Sequence, residues 1–161
     1  SGIGSVVGGT TGGAITIDHL IDLETKVKTA NAPEDALAYL VNAKTVGALK
    51  KLKSTTGQYL WSDNPMGQRS GTPGSINGYN VAVSNQMPSD GTKSTGTGLS
   101  TLVFGDWSEL IIGEWGTLEI LPNPYGAGFN SGSVDIRALQ TIDIGVRHAA
   151  SFAAMTDAIT G

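Results

Sequence analysis

Three glutamates and a tryptophan are the residues whose types and spacing come closest to a catalytic set. Glu109, Glu114 and Glu119 follow one another at intervals of five residues, and Trp115 lies between the last two. A pair of carboxylates can act as acid and base in glycoside hydrolysis, and an aromatic ring can stack on a sugar. A carbohydrate-binding or glycoside-active module is therefore one hypothesis. The alternative, which we favour, is that these acids face water at the ends of a hairpin and that Trp115 packs against protein.

The remaining nucleophilic and metal-binding side chains do not form a recognised motif. His19 and His148 lack the H-x-x-x-H and H-x-x-E-H spacings of zinc sites, and the sequence contains no cysteine. Ser75 has Pro73 and Asn77 at the positions where the G-x-S-x-G pattern of serine hydrolases requires glycine. The sequence therefore predicts no catalytic residue, no metal site and no cofactor.

The composition favours protein partners over DNA or lipid. Only 15% of the 161 residues are charged, so much of the surface is neutral and can be buried against copies of itself at little desolvation cost. The net charge of −4 argues against a nucleic-acid-binding face, which needs clustered Lys and Arg. No apolar run is long enough to span a membrane, so no membrane contact is expected.

Hydrophobic periodicity predicts two helices and several short strands. The helices cover residues 17–29, after the capping residue Thr16, and 43–52, after the capping residue Asn42. Strands are predicted at 36–41, 79–84, 102–104, 110–112 with 118–121 as a hairpin, 134–146 with a bulge near Ala138, and 149–155.

Segments rich in glycine, serine and threonine separate these elements. Loops are predicted at 63–77, 88–100 and 122–132, and residues 1–13 read as a linker or an extended arm. We expect the second loop to be mobile. The whole predicts an α+β fold in which two helices pack on a mixed or antiparallel sheet with long loops.

Short motifs follow one another along nearly the whole chain in a characteristic order. They are Gly2-Ile3, Thr16-Ile17-Asp18-His19-Leu20-Ile21, Tyr39-Leu40-Val41-Asn42, Leu49-Lys50-Lys51-Leu52-Lys53, Gly57-Gln58-Tyr59-Leu60-Trp61, Gly78-Tyr79-Asn80-Val81-Ala82-Val83 with Met87-Pro88, Val103-Phe104-Gly105-Asp106-Trp107, and Val146-Arg147-His148 with Ser151-Phe152-Ala153. In this order they resemble the major capsid proteins of tailed bacteriophages with the HK97-type fold.

The resemblance implies a domain organisation. Residues 1–14 correspond to a linker or arm, 15–131 to the axial domain, and 132–161 to the long strand and final strand that return to the peripheral domain. The family's N-terminal arm, extended loop and spine helix have no counterpart in this sequence. The Arg-x-Pro often seen near the family's C-terminus is replaced by His148-Ala149-Ala150.

The resemblance also implies a structural role without enzymatic activity. The expected function is a (pro)phage capsid subunit that assembles in the bacterial host cytoplasm into an icosahedral shell enclosing DNA. An encapsulin-like compartment shell is the alternative within the same fold. The implied partners are copies of the subunit, with DNA contacted only indirectly, and the fragment itself is expected to be monomeric or weakly associated.

Candidate subunit-interface residues lie in the predicted loops, because loops of the axial domain meet around the symmetry axes in this family. They are Asp63, Met66, Arg69, Thr72 and Ile76 in the first loop, Lys93 in the second, and Asn130 in the third, where some relatives place a cross-linking asparagine.

Overall fold

The computed structural model describes residues 2–53, 56–57 and 75–161, and the chain forms two compact units. Unit 1 comprises Ser1–Glu109 with His148–Gly161, and unit 2 comprises Leu110–Arg147. The predicted segments 15–131 and 132–161 each contribute to both units, so the boundary between them falls inside unit 2. The assignment of those segments to an axial and a peripheral domain stays a prediction.

Two helices begin at the capping residues that the sequence indicates. Helix α1 covers Ile17–Thr29, where the Thr16 hydroxyl accepts from the His19 amide and His19 Nδ1 accepts from the Thr16 amide, each at 3.3 Å. Helix α2 covers Ala43–Lys50, and Asn42 Oδ1 accepts from the Thr45 amide at 2.8 Å. Such caps satisfy amides that have no partner within the helix. Both predicted helices are confirmed, with α2 ending two residues earlier than expected.

Nine strands occur within the described ranges, and they are numbered in chain order. They are β1 (Gly4–Ser5), β2 (Gly13–Ala14), β3 (Leu37–Val41), β4 (Asn80–Val83), β5 (Gly91–Lys93), β6 (Gly96–Asp106), β7 (Leu110–Asn123), β8 (Asp135–Val146) and β9 (Phe152–Ile159).

The strands of unit 1 form one mixed sheet in the order β1, β9, β6, β3, β4, with β2 also paired to β9 and β5 to β6. Strand β6 is antiparallel to β3, β5 and β9, whereas β4 lies parallel to β3, and β1 and β2 lie parallel to β9. Residues along β3 alternate between buried and half-buried, as expected for a strand with one face on the core. Two helices on a mixed sheet confirm the predicted α+β class.

The core of unit 1 centres on a buried tyrosine that joins α1 to the sheet. The ring of Tyr39 packs 4.5 Å from that of Phe104, centroid to centroid. Its hydroxyl donates to Glu24 Oε1 at 2.6 Å and lies 3.2 Å from the Leu20 carbonyl oxygen. Asn77 Nδ2 donates to the same Glu24 oxygen at 2.8 Å, so the turn before β4 is tied to the same point. Burial, together with Glu24, raises the pKa of Tyr39 far above its usual value.

The predicted loop at 88–100 is wrong from residue 91 onwards. Strands β5 and β6 form a hairpin there, with Lys93 opposite Gly96 and Ser94 at a φ of 53° in the turn. Leu99 and Ser100 are buried because β6 continues between β5 and β9. The composition of this segment indicates a mobile loop. The segment is nevertheless ordered as strands, because the neighbouring strands form hydrogen bonds with it and bury Leu99 and Ser100.

The predicted hairpin within 110–121 is also wrong, since β7 is one continuous strand. It pairs along its length with β8, from Leu110 opposite Val146 to Asn123 opposite Asp135. Gly116, at a φ of 75°, lies in a bulge of β7 between Trp115 and Glu119. The irregularity predicted near Ala138 of β8 is wrong, since Ala138 pairs in regular register with Ile120. The final strand starts at Phe152, after a 3-10 turn over Ala149–Ser151.

The glycine-rich N-terminal segment pairs with the edge of the unit 1 sheet through two short strands. Strand β1 pairs with Ala153 and Ala154 of β9, and β2 pairs with Ala158 and Ile159. Val6 is buried in the core of unit 1. The description of this segment as a linker or an extended arm stays a prediction. Glycine permits a close backbone approach within the segment, since a Cβ on Gly13 would overlap the Gly8 carbonyl oxygen.

Replacement of Tyr39 by Phe should lower the free energy of unfolding by about 1–2 kcal/mol, because the Leu20 carbonyl and Glu24 lose a buried donor. The raised pKa of Tyr39 makes this contribution complete below about pH 10 and lost progressively above it, since the unfolded tyrosine then ionises. Denaturant titrations from pH 7 to 11 should show a steeper alkaline loss in the unaltered chain than in Tyr39→Phe. The control Tyr125→Phe removes a hydroxyl from a tyrosine that is 85% exposed, and it should change the free energy of unfolding much less than Tyr39→Phe does.

Candidate functional site

Unit 2 is a two-stranded antiparallel ribbon of β7 and β8 whose large apolar side chains are mostly exposed. These side chains range from 44% to 85% exposed, and they are Ile111, Ile112, Trp115, Leu118, Ile120, Leu121, Tyr125, Val134, Ile136, Leu139, Ile142, Ile144 and Val146. Contiguous exposed apolar surface on this scale marks contact with protein or another apolar partner. The ribbon is therefore the candidate functional surface.

The strand register divides the ribbon into two unlike faces. Side chains alternate along each strand, and residues directly opposite one another share a face. One face, named the apolar face, carries two polar side chains, Glu114 and Gln140. Its other members are Leu110, Ile112, Ile120, Pro122, Ile136, Ala138, Ile142, Ile144 and Val146. Ten residue steps from Ile136 to Val146 make this face roughly 30 Å long.

The opposite face, named the mixed face, carries charged and small residues together with four large apolar side chains, which are Ile111, Trp115, Leu121 and Leu139. Glu119 Oε1 accepts from Arg137 at 3.3 Å, in an exposed ion pair. Trp115 lies over Gly113, where an added Cβ would come within 3.1 Å of the indole ring. A shallow concavity of about 260 Å³ surrounds this contact, and a second of about 610 Å³ lies at the tip of the ribbon near Tyr125.

The geometry separates the residues of the carbohydrate hypothesis. Glu114 and Trp115 are consecutive in β7, so their side chains lie on opposite faces of the ribbon. Glu119 shares the mixed face with Trp115 but is ion-paired with Arg137. Glu109 is buried in unit 1. The structure therefore does not bring the three glutamates together as an acid–base pair beside the tryptophan.

Most of the predicted interface residues of the first loop lie outside the described residues. These are Asp63, Met66, Arg69 and Thr72. Ile76 is described, and only 6% of it is exposed; it packs in the core of unit 1 and exchanges backbone hydrogen bonds with Tyr79. Its side chain contacts the interior of unit 1, because residue 76 is held by Tyr79 in the turn that precedes β4.

The two other predicted interface residues differ in their surroundings. Asn130 is exposed in the 3-10 turn Phe129–Ser131, between the two strands of the ribbon, and its proposed contact with another subunit stays a prediction. Lys93 is engaged within unit 1: its Nζ lies 2.6 Å from Asp157 Oδ2 and 2.8 Å from the Gly9 carbonyl oxygen. The sequence did not reveal this pair, since 64 residues separate its members.

Buried polar groups in the described ranges offer no metal centre. Asp106 is fully buried, its Oδ1 accepts from the Ser108 amide at 2.9 Å, and its Oδ2 has no hydrogen-bond partner among the described residues. The same ranges contain no group of three or more His, Cys, Asp or Glu side chains placed to hold a metal ion. No helix in them is long and apolar enough to cross a membrane.

The apolar face was missed by sequence reasoning, although a signal for it is present. Ile136, Ala138, Ile142, Ile144 and Val146 recur at even positions of the final long strand. This period of two predicts one apolar face, but a strand of a normal sheet would bury that face within its own domain. The sequence does not show that β8 has a single partner strand.

Comparison with known proteins relates residues 1–157 to the phage capsid family. The major capsid protein of Halomonas phage phiHAP-1 is 29% identical over 137 residues, which are 84% of this chain and 19% of that protein. The capsid of an empty GTA particle has a TM-score of 0.70 at 23% identity, and a chain of Gordonia phage Cozz has 0.67 at 20%. These matches cover 98% and 97% of this chain and half of each solved chain, and they show a shared fold.

In the isolated chain the amide protons of β7 and β8 should exchange with solvent at least about tenfold faster than those of β3, β6 and β9. The physical reason is that a two-stranded ribbon without a covered face is only marginally stable in water. Residue-resolved hydrogen exchange by NMR tests this. Equal protection of the ribbon and of the central sheet would contradict it.

Proposed function

The chain belongs to the phage capsid family, and from that membership we propose that it serves as part of a shell subunit that assembles with copies of itself around phage DNA. It spans about half the length of the solved relatives, so this function belongs to a full-length subunit. The resemblance to HK97-type major capsid proteins that the motifs indicate is confirmed by the family match over residues 1–157.

The apolar face of the ribbon is the observation that carries this proposal. Ile112, Ile136 and Ile144 are more than half exposed on it, and covering them with protein removes apolar surface from water at roughly 25 cal/mol per Å². Such a surface is expected in a subunit that other protein covers in an assembly.

We assign the apolar face a partner within the same shell. The partner consists of residues of a full-length subunit that lie outside 1–161, and these residues pack on the face. The half of the relatives' length that this chain does not span supplies enough protein to do so. The flanking mixed face, with its exposed Glu119–Arg137 pair, suits the polar rim of a contact between copies. Weak contacts of this kind suffice when symmetry repeats them many times.

The charge balance fits an indirect relation to the enclosed DNA. With 14 acidic against 10 basic residues, the chain does not present the excess of Lys and Arg that phosphate binding requires. Shell formation in the bacterial cytoplasm and a final place in the virion capsid follow from the same proposal. The subunit acts by holding its neighbours, and no chemical step is assigned to any of its residues.

Expression of a full-length subunit that carries this chain should produce closed particles visible by negative-stain electron microscopy. Particles that protect DNA from nuclease support a phage capsid, whereas particles that retain a protein cargo and no DNA support a compartment shell. A full-length subunit that stays monomeric at high concentration would refute the proposal.

The variant Ile144→Asp should abolish particles, because it places a carboxylate in the middle of the apolar face. The matched control Thr141→Asp introduces the same charge on the mixed face of the same strand and should reduce particle yield far less. Circular dichroism and the melting temperature of unit 1 show whether each variant folds. Particles of normal yield from Ile144→Asp would mean that the apolar face is not buried in the shell.

A further inference from the structure

The N-terminal arm leaves the sheet edge between its two short strands. Ser5 pairs with Ala154 and Gly13 with Ala158, so eight residue steps of the arm accompany four steps of β9. The excess residues form a loop over the edge, which we name the strap (residues 6–12). The strap folds back on itself, and the Gly8 carbonyl oxygen lies so close to Gly13 that a Cβ at residue 13 would overlap it.

A single charged pair fastens the strap to the sheet. Asp157 of β9 lies beneath it with a side chain only 3% exposed, and both carboxylate oxygens accept from the Gly8 amide at 3.1 Å. Lys93 of β5 reaches across from the other side, donating to Asp157 Oδ2 at 2.6 Å and to the Gly9 carbonyl oxygen at 2.8 Å. Three segments that are far apart in sequence are thus joined at one point.

The backbone pairing of the arm is short. Strands β1 and β2 contain two residues each, and glycines at 4, 8, 9, 12 and 13 make ordering of the arm entropically costly. The Lys93 side chain is 35% exposed and that of Asp157 only 3%, so removal of Lys93 takes away the charge that compensates a buried carboxylate, which is unfavourable. The pair therefore acts together with the strand hydrogen bonds and the burial of Val6 in holding the arm on the sheet.

We propose that Lys93 and Asp157 form a lock that holds the strap, and with it the whole N-terminal arm, on the edge of the sheet, so that the arm detaches as one unit when the lock is broken while the rest of unit 1 stays folded. Lys93 is then a positioning residue for the arm. In the shell subunit proposed above, the lock fixes where any chain preceding Gly2 meets the sheet.

The ionisation of Asp157 is consistent with a closed lock at neutral pH. Burial alone raises the pKa of this carboxyl, but the hydrogen bonds from Lys93 and Gly8 and the charge of Lys93 outweigh it and hold the pKa below its ordinary range. The carboxylate is therefore ionised, and the pair intact, throughout the neutral range.

The test is residue-resolved hydrogen exchange on the 161-residue chain, which makes its outcome independent of shell assembly. In Lys93→Met, the amides of Val6, Gly8 and Gly13 should exchange about tenfold faster or more, while those of Leu102 and Phe104 in β6 stay unchanged. The matched control Lys44→Met removes the same charge from a lysine whose Nζ makes one exposed contact of 3.4 Å with the Ser89 carbonyl, and it should alter neither set.

A second variant tests whether the effect arises from the interaction between Lys93 and Asp157 or from one of the two residues alone. Asp157→Asn keeps an acceptor for the Gly8 amide but removes the attraction to Lys93, so it should accelerate exchange in the arm less than Lys93→Met. The double variant should exchange little faster than the faster single one, because both changes break one interaction. Simple multiplication of the two effects, unchanged exchange in the arm, or equal acceleration of arm and β6 would each overturn the lock.

Discussion

A ribbon of two strands has no interior, and this constraint governs the rest of the molecule. Both faces of β7 and β8 meet solvent in this chain, although one of them consists almost wholly of isoleucine, valine, leucine, alanine and proline. Folding alone cannot bury those side chains. The second unit therefore has no core of its own to stabilise it, in contrast to the first unit, whose sheet and helices enclose one.

In the first unit, polar side chains form hydrogen bonds at the places where helices begin and where strand pairing is short. Asn42 and Thr16 cap the helices, and Glu24 gathers Tyr39 and Asn77 at one point between helix, sheet and turn. At the opposite edge of the sheet, Lys93 and Asp157 connect β5 and β9 to the N-terminal arm. Each polar group lies where backbone pairing is short or ends, which is where a hydrogen bond to a side chain has most effect.

Local signals in the sequence were enough for the helices and for the fold class. The caps at Thr16 and Asn42 mark helix starts because they act within three residues. The strands β5 and β6 were missed around Gly96 because a segment of Gly, Ser and Thr becomes a strand only when distant neighbours pair with it. For the same reason the apolar face and the Lys93–Asp157 pair were not predicted: both depend on partners more than a loop away. The family resemblance rests on the order of motifs along the chain, so it does not depend on knowing these distant contacts.

The ribbon is inserted between β6 and β9, which are adjacent antiparallel strands in the sheet. Since the first and last residues of the ribbon, Leu110 and Val146, are themselves paired, its length is uncoupled from the sheet that carries it. Insertion of two residues in each strand extends the ribbon by about 7 Å and keeps every side chain on its face, whereas insertion of one residue exchanges the faces. Evolution can thus change the reach of such a subunit in discrete steps, without redesigning its core.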